Sequence, residues 1–262
     1  MARELSVMLV QMDVASGDVA GNLARVERLV AGHPDPADLI VLPETFTTGC
    51  AFERLRDLAE PLNGQTGSAL SDLARRRRAY VAGSFAEAGP DGVHNTFVLL
   101  DRGGALRMTY RKAHLVPMMG EPDYFRPGDR VGVCQTEFGR WGAMICYDLR
   151  FPELARRLTL EGVGVILVPA EFPDPRLSHW RILNLARAVE NQVFVVAVNR
   201  VGGDGTYTFF GHSAVVDPWG EIAVEGGRGE AVLTCRIDLD AVEEVRRRVP
   251  ALKGRRPEVY GS

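Results

Sequence analysis

The sequence of 262 residues lacks the features of secreted, membrane-spanning and zinc-stabilised proteins. Its four cysteines are widely spaced and form no CxxC pair, so neither a disulfide framework nor a metal site is expected. The N-terminus leads directly into a short strand-like run rather than a signal peptide. The apolar run 163–170 is far too short to cross a bilayer. These absences predict a cytoplasmic protein with reduced thiols and no membrane contact.

A strong charge of either sign is also missing. The chain has 31 Lys and Arg against 34 Asp and Glu, a formal net charge of −3, which gives no reason to expect nucleic acid as a partner. No linker, low-complexity tract or internal repeat interrupts the chain, so we expect a single domain over residues 1–262. The basic segment 253–262 is expected to be a mobile end or an arm that docks on another subunit.

Helical and strand patterns alternate in the first and last thirds of the chain, and hairpins fill the middle. Helical spacing of apolar residues marks the segments 22–30, 68–78, 178–190 and 241–249. Short apolar runs mark strands buried on both faces at 39–42, 163–168 and 193–198. The sequence therefore predicts a mixed α/β (α+β) domain in which helices cover the sheets.

Cys146 lies where a strand pattern ending at residue 145 meets a helix pattern with Pro152 near its first turn. A thiol at such a junction is expected to be exposed at the end of a sheet and close to the positive end of a helix dipole. Both features favour the thiolate. The alternative is that Cys146 is a small buried hydrophobic residue. A reactive thiol also needs a base and an oxyanion partner from elsewhere in the chain.

Three charged residues offer these functions. Glu44 and Lys112 come at or just past the ends of strand patterns, and Glu121 lies in the long, irregular 112–130 loop. Strand ends that point the same way gather into one cleft of an α/β sheet. A partly desolvated carboxylate is suited to general-base work, and a nearby lysine can stabilise an oxyanion together with the backbone N–H of Tyr147. Taken singly, each residue is more often a cap, a salt-bridge partner or a solvated side chain.

Together, the stretches around these residues resemble the three motifs of the nitrilase, or carbon–nitrogen hydrolase, superfamily. The stretches are Leu42-Pro43-Glu44-Thr45-Phe46, Tyr110-Arg111-Lys112-Ala113-His114-Leu115 and Ile145-Cys146-Tyr147-Asp148-Leu149-Arg150-Phe151-Pro152-Glu153. The resemblance, which covers nearly the whole chain, implies a four-layer α-β-β-α sandwich that pairs through its helices into a homodimer or a higher even-numbered assembly. It also implies a triad without metal or organic cofactor. Glu44 would be the base, Lys112 the oxyanion stabiliser, Cys146 the nucleophile and Glu121 a second carboxylate that orients the substrate.

Within the superfamily the chain looks most like the ω-amidase branch. That branch hydrolyses a small non-peptide amide, 2-oxoglutaramate or 2-oxosuccinamate, to an acid and ammonia through a cysteine thioester. One departure concerns the substrate site, because many relatives carry Asn-Trp-Pro where this chain has Glu171-Phe172-Pro173. Glu171 would either repel a dicarboxylic substrate and suit a neutral or cationic amide, or lie in a salt bridge, with Arg176 as one candidate partner.

Several alternatives stay open at this point. Nitrilases and N-carbamoyl-amide hydrolases share the triad, and a catalytically silent binding protein could share the fold, although it would usually have lost one of the three residue types. A papain-like hydrolase would use His114, His179 or His212 as its base, but the chain lacks that family's local cysteine signature. Cys50 is either a cleft residue or, more often in such a position, a packed bystander thiol.

Overall fold

Within residues 3–260, which the computed structural model describes, the chain forms two six-stranded sheets, a two-stranded ribbon and the helices around them. The strands are β1 (Glu4–Gln11), β2 (Leu39–Val41), β3 (Tyr80–Gly89), β4 (Gly92–Leu100), β5 (Leu106–Arg111), β6 (Gly132–Thr136), β7 (Gly139–Ala143), β8 (Val165–Ala170), β9 (Phe194–Asn199), β10 (Val201–Gly203), β11 (Thr208–Phe210), β12 (Ala214–Val216), β13 (Ile222–Glu225) and β14 (Ala231–Asp238). The helices are α1 (Val19–Ala31), α2 (Leu55–Leu58), α3 (Gln65–Arg77), α4 (Glu121–Tyr124), α5 (Pro152–Leu160), α6 (Leu177–Asn191), α7 (Asp240–Arg248) and α8 (Pro257–Tyr260). Short 3-10 turns lie at Phe52–Arg54, Pro117–Met119 and Cys146–Arg150.

Both sheets have a parallel centre flanked by antiparallel strands. The first sheet has the order β14-β1-β2-β3-β4-β5, with β1, β2 and β3 parallel. The second has the order β13-β12-β9-β8-β7-β6, with β7, β8 and β9 parallel. Parallel neighbours end at the same edge of a sheet, so the residues that follow these strands are brought close together.

Alternate residues of the central strands face different layers, which explains why these strands are apolar on both faces. Val7, Leu9 and Val41 pack between the two sheets, in the cluster that also contains the apolar residues of β7, β8 and β9. Met8 and Ile40 face the other way and pack against the apolar residues of α1 and α3. Helices α5 and α6 cover the second sheet. The resulting α-β-β-α sandwich confirms the predicted fold class.

The ends of some elements differ from the predicted ones. Helix α3 begins at Gln65, earlier than predicted, and the hydroxyl of Thr66, in its first turn, pairs with Glu60. A 3-10 turn separates Cys146 from α5, which begins at Pro152 as expected. In the predicted tail 253–262, residues 257–260 form α8, and residues 261–262 lie outside the described part. No helix between residues 3 and 260 is long and apolar enough to span a membrane.

Candidate active site

Glu44, Lys112 and Cys146 follow strands β2, β5 and β7 and meet in one buried cluster with Glu121 of α4. The Nζ atom of Lys112 donates to Oε1 of Glu44 and to Oε1 of Glu121, in both cases at 2.8 Å. No member of this cluster is more than 5% exposed. The structure therefore brings together the four residues to which the sequence assigned catalytic roles.

The charges in this cluster stabilise one another. Burial alone would lower the pKa of Lys112, but the carboxylates of Glu121 and Glu44 outweigh burial and raise that pKa well above its ordinary value. Burial raises the pKa of Glu121, and Lys112 opposes the increase. Lys112 is therefore a permanent cation held between two carboxylates.

The prediction that Cys146 is an exposed thiolate is wrong. Cys146 is only 5% exposed, and burial, followed by the charge of Glu44, raises the pKa of its thiol well above the ordinary value, with Lys112 opposing them. The reason is that the strand-to-helix junction lies inside a pocket with two carboxylates rather than at the protein surface. Such a thiol needs a neighbouring base before it can act as a nucleophile.

A tight turn held by Asp148 presents Cys146. Cys146 has a φ of 45°, in the left-handed region that is uncommon for residues other than glycine. The fully buried carboxylate of Asp148 accepts hydrogen bonds from the backbone N–H of Ile145 at 2.8 Å and from the hydroxyl of Tyr110 at 2.7 Å. Its other oxygen lies 2.7 Å from Nδ1 of His114. These contacts fix the backbone on both sides of the thiol.

Glu44 is oriented by two further donors. Nδ2 of Asn95 donates to Oε1 at 2.7 Å, and the backbone N–H of Glu171 donates to Oε2 at 2.7 Å. Sequence reasoning missed Asn95. Its only signal is the polar run His94-Asn95-Thr96 near the start of the otherwise apolar strand β4.

Glu171 lies in a buried salt bridge, one of its two predicted settings, but the partner is Arg200 rather than Arg176. Nη1 of Arg200 donates to Oε1 of Glu171 at 3.0 Å, and the thiol of Cys50 donates to Oε2 at 3.0 Å. Burial raises the pKa of Glu171 to about 7, although Arg200 lowers it. Cys50 is therefore a packed thiol that satisfies the second oxygen of this carboxylate.

A small cleft of about 20 Å³ leads to Cys146 and is lined by Tyr147, Phe172, Arg150 and Arg176 among others. The guanidinium of Arg150 lies over the rings of Phe172 and Tyr147, 5.2 and 5.6 Å from their centroids. Among the described residues, Nε of Arg150 has no hydrogen-bond partner. Nη2 of Arg176 donates to the sulfur of Met118, a weak acceptor, at 3.4 Å. No carboxylate of the described residues pairs with Arg150 or Arg176. Two cations without anionic partners therefore line the cleft.

The three histidines considered as alternative bases make other contacts. The ring of His114 stacks on Phe151 with 3.6 Å between centroids, Nδ1 of His212 lies 3.0 Å from Glu225, and His179 is exposed on α6. Among residues 3–260, none of them hydrogen bonds to Cys146, and no group of three His, Cys, Asp or Glu side chains is arranged to hold a metal ion.

An α-β-β-α sandwich with a thiol, an ammonium and two carboxylates buried at its strand ends defines a hydrolase of the nitrilase type. The chain belongs to the carbon–nitrogen hydrolase family, whose model matches residues 6–247. It is 37% identical to a 2-oxoglutaramate amidase of Bacillus subtilis over 97% of this chain and 99% of that protein.

Solved structures agree with this assignment. A carbon–nitrogen hydrolase superfamily protein of Xanthomonas campestris, with an arsenic adduct in its active site, is 35% identical, has a TM-score of 0.91 and covers 97% of this chain and 98% of its own. An amidase of Nesterenkonia, 26% identical with a TM-score of 0.83 over 98% of this chain and 95% of its own, carries the acetamide moiety of fluoroacetamide on its active-site cysteine. The chain is accordingly a carbon–nitrogen hydrolase that acts on amides, as its motifs predicted.

Proposed function

We propose that the chain is an ω-amidase that hydrolyses the amide of a small 2-oxo acid, such as 2-oxoglutaramate or 2-oxosuccinamate. The observation that carries this proposal is the pair Arg150 and Arg176, which line the cleft beside Cys146 without a carboxylate partner in the described structure. Guanidinium groups bind carboxylates in a fixed, often bidentate geometry. A carboxylate is the group that distinguishes these substrates from a simple aliphatic amide. The similarity to a 2-oxoglutaramate amidase also supports the proposal.

The salt bridge of Glu171 removes the main objection to an anionic substrate. A bare carboxylate beside the cleft would repel a second carboxylate. Here the charge of Glu171 is paired with Arg200 at 3.0 Å, and its other oxygen accepts from Cys50. The guanidinium groups of Arg150 and Arg176 are then the charges that meet the substrate.

In the proposed mechanism, Glu44 takes the proton of the Cys146 thiol while the sulfur attacks the amide carbon. The oxyanion is held by the ammonium of Lys112 and by the N–H of Tyr147, which lies in the first turn of a 3-10 helix, where N–H groups have no acceptor within the helix. The C–N bond then breaks, and Glu44 transfers the proton to the departing ammonia. Water, deprotonated by Glu44 and oriented with help from Glu121, hydrolyses the thioester and restores the thiol.

The test is ammonia release from four compounds: 2-oxoglutaramate, a neutral aliphatic amide, a nitrile and an N-carbamoyl compound. We expect kcat/KM for 2-oxoglutaramate to exceed that for the neutral amide by about tenfold or more, the difference that a charge-assisted hydrogen bond makes.

Cys146→Ala should release no ammonia and keep the wild-type circular dichroism. Mass spectrometry under substrate should find an acyl adduct on Cys146 and not on Cys50, Cys134 or Cys235. Turnover by Cys146→Ala, or faster hydrolysis of the nitrile or the carbamoyl compound, would refute the proposal.

We also propose that the protein works in the cytoplasm as a homodimer or a higher even-numbered assembly. Helix α6 exposes Ile182 by 62% and Val189 by 49%, and the nearby turn exposes Trp219 by 44%, so an apolar surface is available for pairing. All four cysteines are free thiols, which suits a reducing compartment. Light scattering should show a dimer or a higher even-numbered assembly for the wild type and a smaller species for Ile182→Glu; a monomeric wild type would overturn the proposed assembly.

A further inference from the structure

The segment that donates a hydrogen bond to Glu44, the proposed base, also carries a buried ion pair between Glu171 and Arg200. Glu171 and Arg200 are 5% and 0% exposed. The backbone N–H of Glu171 donates to Oε2 of Glu44 at 2.7 Å, while its side chain binds Arg200 at 3.0 Å. One residue therefore links the base to a buried cation.

The segment around Glu171 is fixed to the end of β9 at each of three successive residues. The N–H of Arg200 donates to the carbonyl of Ala170 at 3.1 Å, and its guanidinium holds the side chain of Glu171. The amide of Asn199 accepts from the N–H of Phe172 at 2.7 Å and donates to its carbonyl at 3.1 Å. Residues 170–172 cannot shift relative to β9 without breaking these bonds.

Arg200 is itself held in place by groups from distant parts of the chain. Nη2 donates to the carbonyl of Val14 at 2.5 Å, and the guanidinium lies 4.2 Å from the centroid of the Phe209 ring. Gly49, at a φ of 55°, passes so close that a Cβ atom there would lie 3.2 Å from Nη1. Because residues 49 and 50 belong to the loop that follows Glu44, the ion pair joins that loop to the ends of β8 and β9.

We propose that Glu171, through its ion pair with Arg200, is a positioning residue that holds Glu44 in line with the thiol of Cys146. This inference rests on the proposed function, in which Glu44 deprotonates that thiol.

The contacts of Glu44 show why this hydrogen bond matters. Lys112 and Asn95 both bind Oε1 of Glu44, and the N–H of Glu171 is the contact that the described residues give to Oε2. Without the N–H of Glu171, the carboxylate of Glu44 is held through Oε1 alone, and its second oxygen is less well fixed. The expected consequence is slower thioester formation with little change in substrate binding, since the carboxylate-binding arginines of the cleft are untouched.

The experiment compares Glu171→Gln, Arg200→Met and the double variant with the wild type at pH 8. Glutamine keeps the size of the side chain and removes the charge that Arg200 pairs with. Each single variant should lower kcat by about tenfold or more and change KM by less than about threefold. The double variant should be no slower than the slower single variant, since both remove the same constraint. Arg200→Lys keeps the positive charge but lacks the planar guanidinium, so it should recover part of the kcat that Arg200→Met loses.

A second measurement needs no substrate. Alkylation of Cys146 by iodoacetamide, followed by peptide mass spectrometry, reports how readily the thiol loses its proton, and it should slow in the same variants. Val26→Ala is the matched control, because it weakens the packing under α1 and leaves residues 170–172 intact. It should lower Tm and leave kcat and the alkylation rate unchanged.

The outcomes separate the two proposals. If Glu171→Gln and Arg200→Met lower only Tm, with wild-type kcat and alkylation, the ion pair is structural and the positioning role is wrong. If the wild type releases no ammonia from any of the four compounds, the proposed function fails, and the alkylation rates of Cys146 still decide whether Glu171 positions the base.

Discussion

Replacement of Lys112 by methionine should destabilise the protein strongly, and more so at high pH than at low pH. Lys112 is fully buried and lies 2.8 Å from both Glu44 and Glu121. Methionine fills similar space but leaves two buried carboxylates without their shared cation. Removing one partner of a buried ion pair costs about 3–5 kcal/mol, which corresponds to a decrease in Tm of roughly 10 °C for a chain of this size.

The pH dependence follows from the carboxylate that loses its cation. In the wild type, burial raises the pKa of Glu121 above its ordinary value of 4.5, and the positive charge of Lys112 partly offsets this increase. Without Lys112 the pKa in the folded state moves further up, so the folded protein binds the proton more tightly than the unfolded chain does. Stability is then lost as the pH rises above the unfolded value and is regained on acidification. The Tm difference from the wild type should be largest near pH 8 and smallest near pH 5.

Thermal unfolding followed by circular dichroism between pH 5 and pH 8, at one protein concentration, measures this difference. The chain's other lysine, Lys253, is exposed near the C-terminus, so Lys253→Met is a matched control that should leave Tm unchanged. Lys112→Met should also release no ammonia. A Tm equal to that of the wild type at pH 8, or a difference that grows on acidification, would refute the assignment of Lys112 as the cation that holds this site together.

Three further changes test other parts of the site. Arg150→Leu should lower kcat/KM for 2-oxoglutaramate by about tenfold to a hundredfold and leave a neutral amide nearly unaffected; equal losses for both would contradict a carboxylate-binding role. Because burial raises the pKa of Glu171 to about 7, its ionisation removes stability as the pH rises from the ordinary value of 4.5. Urea titrations should therefore show that Glu171→Gln, which is destabilised at every pH because it leaves Arg200 unpaired, loses about 3 kcal/mol less than the wild type as the pH rises to 8; an unchanged pH dependence would refute the buried charge. Asp148→Asn replaces one carboxylate oxygen with an NH2 group, which cannot accept the hydrogen bonds that this oxygen receives. The change should lower the free energy of unfolding by about 2 kcal/mol and slow turnover. Wild-type melting and turnover would show that the turn does not need this carboxylate.

The positions of Glu44 and Lys112 could be predicted because each comes at or just past the end of a strand-like run. The residue pattern marks where a strand ends. Strand β2 lies in the parallel centre of the first sheet, and β5 runs in the same direction because two antiparallel steps separate it from β3, so both strands end at one edge. The depth of the pocket could not be predicted in the same way. Hydrophobic periodicity indicates that a junction exists at Cys146, but not that a 3-10 turn carries the thiol below the surface into a pocket with two carboxylates. The expected exposure and thiolate were wrong for that reason.

The residues that orient Glu44 escaped prediction because their partners are set by strand pairing rather than by sequence spacing. Asn95 pairs with Ala86 across β3 and β4, and its side chain reaches Glu44, which lies 51 positions away in the sequence. A single-residue error in that register would turn Asn95 to the opposite face of the sheet. Local patterns of polar residues cannot supply this information.

Glu171 and Arg200 illustrate the same point and show how the departure at Glu171 is accommodated. Ala170 and Asn199 are paired in the parallel register of β8 and β9, so the residues that follow them, Glu171 and Arg200, emerge side by side at the sheet edge. A buried carboxylate there without its guanidinium would cost several kcal/mol, as would the guanidinium without the carboxylate. The two side chains therefore form one structural unit. An uncharged residue at position 171 would leave the buried charge of Arg200 unpaired, and a buried carboxylate at position 171 requires Arg200. Knowledge of the β8–β9 register would have identified Arg200 as the partner of Glu171 before any side chain was placed.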